Sequence, residues 1–103
     1  MMISCSIERL EEKIKAFSKL GDTGRGGVTR YSLSKEAIEA RNEVKRRMEA
    51  LGATVVTDDM ANMYATIPGT EDLPAIMSGS HLDSVKQGGN YDGILGVLAA
   101  MEV

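Results

Sequence analysis

The hydrophobic period of this chain changes at Gly52, and that change limits it to folds in which helices pack on strands. Before Gly52 the period is helical. Ile7, Leu10, Ile14 and Phe17 recur at spacings of three and four, which predicts a helix from Ser6 to Leu20 with Ser6 as its cap and Gly21 as its stop. Ala37, Ala40, Val44, Met48 and Leu51 predict a second helix from Ser34 to Leu51, with Glu43 and Arg47 as a favourable i, i+4 pair. Beyond Gly52, Ala53–Thr57 and Met63–Ile67 are short β-type runs joined by a polar Asp58-Asp59 turn. After a second turn at Pro68-Gly69 and Glu71-Asp72, Ala75–Ser80 reads as a strand buried on both faces. Gly93 to Val103 reads as a helix that is apolar nearly all round and therefore expects protein on most sides. The predicted order is helix-helix-strand-strand-strand-helix, an α/β class.

At 103 residues there is room for one domain at most. With 43% hydrophobic and 26% charged residues the chain is expected to fold rather than remain disordered. A net charge of −3 argues against a nucleic-acid surface. No apolar run approaches the roughly 20 residues of a membrane span, and the N-terminus lacks a signal-peptide pattern, so a cytoplasmic protein is expected. Cys5 is the only cysteine, which excludes an internal disulfide and suits a reducing compartment. Without a neighbouring His in sequence it makes a poor nucleophile. The loop Gly21–Arg30 holds four glycines in seven residues but lacks both the Gly-Lys-Ser/Thr ending of a P-loop and the GxGxxG spacing. Arg25 is expected to be a solvated charge, and Arg30 a contact to another part of the fold or to a substrate carboxylate.

The chemistry concentrates at the end of the third predicted strand. His81 is followed two residues later by Asp83 and, after a glycine-rich turn, by Asp92-Gly93. A neutral imidazole binds zinc-like cations, and its second nitrogen usually donates to a carboxylate that fixes tautomer and orientation. Residues i and i+2 of an extended segment point the same way, so Asp83 is placed to serve His81. Gly88-Gly89 are expected to let the chain turn sharply and return the Asp92 carboxylate to His81, where its two oxygens can bridge two cations. From spacing alone, a metal half-site and an ordinary loop carrying one His both remain open.

Gly79-Ser80-His81-Leu82-Asp83-Ser84-Val85, then Gly88-Gly89-Asn90-Tyr91-Asp92-Gly93-Ile94-Leu95-Gly96-Val97, resembles the N-carbamoyl-L-amino-acid amidohydrolase and allantoate amidohydrolase family, a branch of the dinuclear metallopeptidase superfamily. Gly26–Arg30, Ala40-Arg41 and Asp59–Asn62 fit as well, and Ala61 stands where relatives often carry glycine. The resemblance implies that residues 1–103 are the N-terminal portion of an α/β/α catalytic domain, with the lid and dimerisation domain outside them. It implies His81 as a terminal metal ligand, Asp92 as the bridging ligand and Asp83 as the catalytic partner of His81. It further implies two divalent ions (Zn or Mn, with Co or Ni as alternatives), a small ureido or carbamoyl substrate, hydrolysis of linear amides or amidines, and homodimers among full-length relatives. No membrane partner is implied.

The chain stops eleven residues past Asp92, before the family's remaining ligands and general base. It is therefore expected to be a truncated piece that binds metal weakly, turns nothing over and associates through uncovered apolar surface. The rivals are a peptidase or aminoacylase of the same superfamily and a non-catalytic binding module. The resemblance also implies a cis peptide between Asp92 and Gly93 in the intact, metal-bound enzyme.

Overall fold

Ser6 opens the first helix as its sequence position suggests. In the computed structural model, which describes residues 3–103, the Ser6 hydroxyl accepts the N–H of Arg9 at 3.2 Å and α1 runs Ile7–Ser18. Ser34 does the same for α2, Lys35–Ala50, accepting from the N–H of Ala37 at 3.1 Å. Each cap satisfies one of the N–H groups that a helix start leaves without a partner. α3 spans Ile94–Glu102.

The apolar stripes of the three helices meet. Phe17 of α1, Ala40 and Val44 of α2, and Ile94, Leu98 and Met101 of α3 form one buried cluster, with Leu10, Ile14 and Met48 packed around it. Two charge clusters fasten its rim. Arg47 on α2 reaches Glu12 on α1 through two hydrogen bonds, of 2.8 and 2.9 Å, and takes Glu43 at 2.7 Å. Glu102 at the end of α3 accepts from Lys13 at 2.8 Å and from the Ser6 N–H and Arg9 Nε at 2.9 Å each.

These partners set the acid response. Arg9 first, then Lys13, hold the Glu102 carboxyl down at about 2, and Arg46 followed by Arg47 hold Glu43 at about 2. Both lie below the ordinary glutamate value of 4.5, so their stabilisation is complete above that pH and is lost as pH falls towards about 2. The denaturant midpoint is expected to drop across that window, and Glu102→Gln to flatten the drop. An acid limb unchanged in both Glu102→Gln and Glu43→Gln would contradict this.

β1 (Thr54–Thr57) and β2 (Met63–Thr66) form an antiparallel hairpin in the register Thr54↔Thr66 to Thr57↔Met63, resting on α2. Asp58 organises the turn. Its side chain accepts the N–H groups of Met60 at 2.9 Å and Asn62 at 2.8 Å, a local pattern that aspartate makes readily. Ala61 is forced to φ +65° and its carbonyl accepts from Arg41 at 2.6 Å. A left-handed alanine costs roughly 1–2 kcal/mol, and glycine recovers part of that after its own entropy cost. Ala61→Gly is therefore expected to stabilise the chain by about 0.5–1 kcal/mol, read as a raised midpoint in chemical denaturation. A lowered midpoint would refute it.

The third predicted strand is not a strand here. Residues 75–80 are extended but have no ladder partner among the described residues, and the expected burial on both faces is reversed, with Ile76 fully exposed and Met77 76% exposed. An apolar β-type run codes for its own extension, whereas a strand also needs a neighbouring backbone, and the β1–β2 hairpin does not supply one. What these residues form is a mixed helix and strand unit with a two-stranded sheet.

Candidate active site

His81 emerges from the extended segment onto the start of α3. Its Nδ1 lies 3.1 Å from both the carboxylate Oδ1 and the backbone carbonyl of Asp83. Both atoms are acceptors, so in the neutral ring Nδ1 carries the proton and donates, and Nε2 keeps a free lone pair. That lone pair faces Asp92, whose Oδ2 is 3.8 Å from Nε2. The sequence placed His81, Asp83 and Asp92 together, and the fold does bring them together. All three are open to solvent, with Asp92 86% exposed at its side chain.

Gly93 makes the approach feasible. It has φ +71° and ψ −58°, and the N–H of Ile94 donates to the carbonyl of Asp92 at 2.8 Å, closing a three-residue γ-turn of the strained hand. A Cβ on Gly93 would overlap the His81 ring. The turn thus reverses the chain into α3 while aiming Asp92 back at the imidazole. No peptide is cis among the described residues, so the Asp92–Gly93 bond is trans here.

The glycine pair upstream acts differently from its expected role. The left-handed residue of that loop is Gln87, at φ +51°, and Gly88 instead pairs with Val28 through hydrogen bonds of 2.9 and 2.7 Å. A Cβ at Gly88 would press against Ser84, Val85 and Val28 at 3.1–3.3 Å. Gly88 therefore serves close backbone approach, and the bend falls one residue earlier.

That pairing belongs to a zipper that sequence reasoning missed. The 28–30 strip runs alongside residues 84–88: Thr29 Oγ1 accepts from the Gln87 N–H at 3.0 Å, the Ser84 hydroxyl accepts from the Arg30 N–H at 2.9 Å, and the Ser84 N–H donates to the Arg30 carbonyl at 2.8 Å. Arg30 is buried and bonds three backbone carbonyls, which makes it a contact within the fold rather than a free substrate-binding charge; Arg25 is exposed, as expected, and so is Cys5. No sequence periodicity couples position 28 to position 88. The only signal was the Gly26–Arg30 string itself.

An imidazole lone pair and a carboxylate oxygen suit a zinc- or manganese-type cation. Two donors about 2.1 Å from one tetrahedral ion would stand roughly 3.4 Å apart, close to the 3.8 Å between Nε2 and Oδ2. Among the described residues no group of three or more His, Cys, Asp or Glu is disposed to hold a metal, so the pair is at most part of a site. Nor is any helix among them long and apolar enough to cross a membrane.

No family model matches the chain. It is 42% identical over 102 residues to an N-carbamoyl-L-amino-acid amidohydrolase of Pseudomonas sp. (strain NS671), covering 98% of this chain and 25% of that protein. It is 39% identical over 100 residues to the allantoate amidohydrolase of Escherichia coli (strain K12), covering 96% of this chain and 24% of that one. The crystal structure of an amidase of the hydantoinase/carbamoylase family from Burkholderia multivorans superposes with a TM-score of 0.93 at 35% identity, over 97% of this chain and 25% of that one. The chain thus spans about a quarter of the length of the relatives it matches.

Proposed function

The chain belongs to the N-carbamoyl-L-amino-acid amidohydrolase and allantoate amidohydrolase family, and from that premise we propose that it supplies the His81–Asp83–Asp92 part of a metal-dependent amidohydrolase site. The substrate class is a small linear ureido or carbamoyl compound, cleaved at a non-peptide C–N bond. The observation that carries this reading is the orientation of His81, with Nδ1 tied to Asp83 at 3.1 Å and Nε2 left bare 3.8 Å from Asp92.

His81 and Asp92 would hold a divalent cation between them. Such a cation, when bound, polarises the scissile carbonyl and lowers the pKa of an attached water. Asp83 keeps the imidazole in the tautomer that presents Nε2. Asp92 contributes the negative charge of the pair and has a second oxygen free for a further cation. The general base and any grip on the substrate carboxylate are to be sought in the remaining three quarters of the family's length.

The test is a graft. Substituting this chain for the matching quarter of the Pseudomonas amidohydrolase is expected to leave an enzyme that releases ammonia from N-carbamoyl amino acids. Chelation should abolish that activity and Zn or Mn restore it. Asp83→Ala in the graft should cost about 10–100-fold in activity or metal affinity, and His81→Ala more than that. An active graft indifferent to both substitutions would sink the reading. Preference for N-acyl over N-carbamoyl amino acids would point instead to an aminoacylase or peptidase.

A further inference from the structure

Arg30 is a charged side chain with no part in the chemistry above, yet it is only 3% exposed. A buried guanidinium is costly unless its donors are met. Here Nε donates to the Leu82 carbonyl at 2.7 Å, and Nη1 donates to the carbonyls of Phe17 at 3.1 Å and Leu20 at 2.6 Å. Phe17 lies in the last turn of α1 and Leu20 just past its end, where the helix carries partial negative charge. Leu82 is the residue between His81 and Asp83. On the far side of Asp83, Ser84 is joined to the Arg30 backbone in both directions, at 2.9 and 2.8 Å. Arg30 thus holds the chain on either side of Asp83, once through its side chain and twice through its backbone. Burial pushes the guanidinium pKa down, and the Asp83 charge acts against that.

We propose that Arg30 is a positioning residue for His81. By holding the Leu82 carbonyl against the end of α1, it sets the path of the backbone from His81 to Asp83. Asp83 then accepts the Nδ1–H hydrogen bond and Nε2 is left bare towards Asp92. The hold itself is made through the backbone: none of the Arg30 hydrogen bonds goes to the imidazole or to either carboxylate, and the guanidinium meets Asp83 only as a nearby opposite charge. A guanidinium suits the task because it presents several donors in one rigid plane, which a lysine ammonium does not. Were Arg30 only an anchor for the Gly21–Arg30 loop, its loss would lower stability and leave the ring tautomer alone. The value of this to catalysis rests on the proposed function, but the effect on the ring does not.

The measurement is the ¹⁵N chemical shifts of the His81 ring in the 103-residue chain, at a pH where the ring is neutral. The parent is expected to be mainly Nδ1–H. Arg30→Met is expected to lower the ratio of Nδ1–H to Nε2–H by about tenfold, the worth of one hydrogen bond to a charged group. Arg30→Lys should recover part of it. Zinc affinity should fall in parallel by about 10–100-fold in Arg30→Met, as it does when the partner of a metal-bound histidine is lost. Amide exchange at Ala40 and Val44 in the same samples reports whether the helical core is intact. An Arg30→Met chain with an intact core and the parental tautomer ratio overturns the proposal. Should Arg30→Met fail to fold, Arg30→Lys carries the test, and a parental ratio there overturns it equally. A parent that binds no zinc, but whose tautomer ratio still responds to Arg30, would leave the positioning role standing, and the metal reading is then decided by the graft.

Discussion

Phe17→Ala is expected to cost about 3–5 kcal/mol, the largest stability loss of any single truncation in this chain. Phe17 is 1% exposed and sits where all three helices meet. Its ring also lies under the Arg47 guanidinium, 5.6 Å from the ring centroid, so the truncation removes a cation–π contact as well as apolar burial. Domains of this size are stable by roughly 5–15 kcal/mol, so the loss takes a large part of the total. At roughly 4–8 °C per kcal/mol, thermal unfolding should fall by at least about 12 °C. Ile38→Ala on the exposed face of α2 is the control, and about 0.5 kcal/mol or less is expected there. Equal losses at the two positions would show that the packing of Phe17 is wrongly described.

Gly93→Ala is expected to have the largest effect on the site. Two independent obstacles meet there: a φ of +71° that alanine tolerates poorly, and a Cβ that would overlap the His81 ring. Backbone strain of this kind costs about 1–3 kcal/mol, and the imidazole must also move away from Asp92 to make room. Divalent-metal affinity is therefore expected to fall by about 100-fold or more, the upper end of what losing a supporting contact costs. The same change in the grafted amidohydrolase should remove most of its activity. Gly89→Ala is the matched control, because a Cβ there meets nothing within 4 Å. A Gly93→Ala chain with parental metal affinity and activity would refute the account of this turn.

The local elements were legible in the sequence because their causes are local. Ser6 and Ser34 cap helices with their own hydroxyls, and the three-and-four spacing of apolar residues marks which face of each helix is buried. Asp58 and its neighbours carry the hairpin turn within five residues. The convergence of His81, Asp83 and Asp92 was also readable, since an i, i+2 relation and a short glycine-containing loop confine them to one neighbourhood. Features that depend on residues far apart in the chain were not readable. Ala75–Ser80 has the composition of a buried strand, but ladder partners belong to other segments, and among the described residues none stands beside it. The bend before Asp92 falls at Gln87 and not at the glycines, because Gly88 is held by Val28 from sixty positions earlier. Arg30 could be read equally as a substrate contact or a structural one until the ends of α1 and the His81 segment were seen to meet around it. The sequence by itself determined the caps, the helical faces, the hairpin and the nearness of His81, Asp83 and Asp92, because each follows from spacing along one stretch of chain. Only the tertiary structure decided which backbone pairs with which, where Arg30 is buried and how the imidazole is turned, because those depend on hydrogen bonds between segments whose encounter no local pattern encodes.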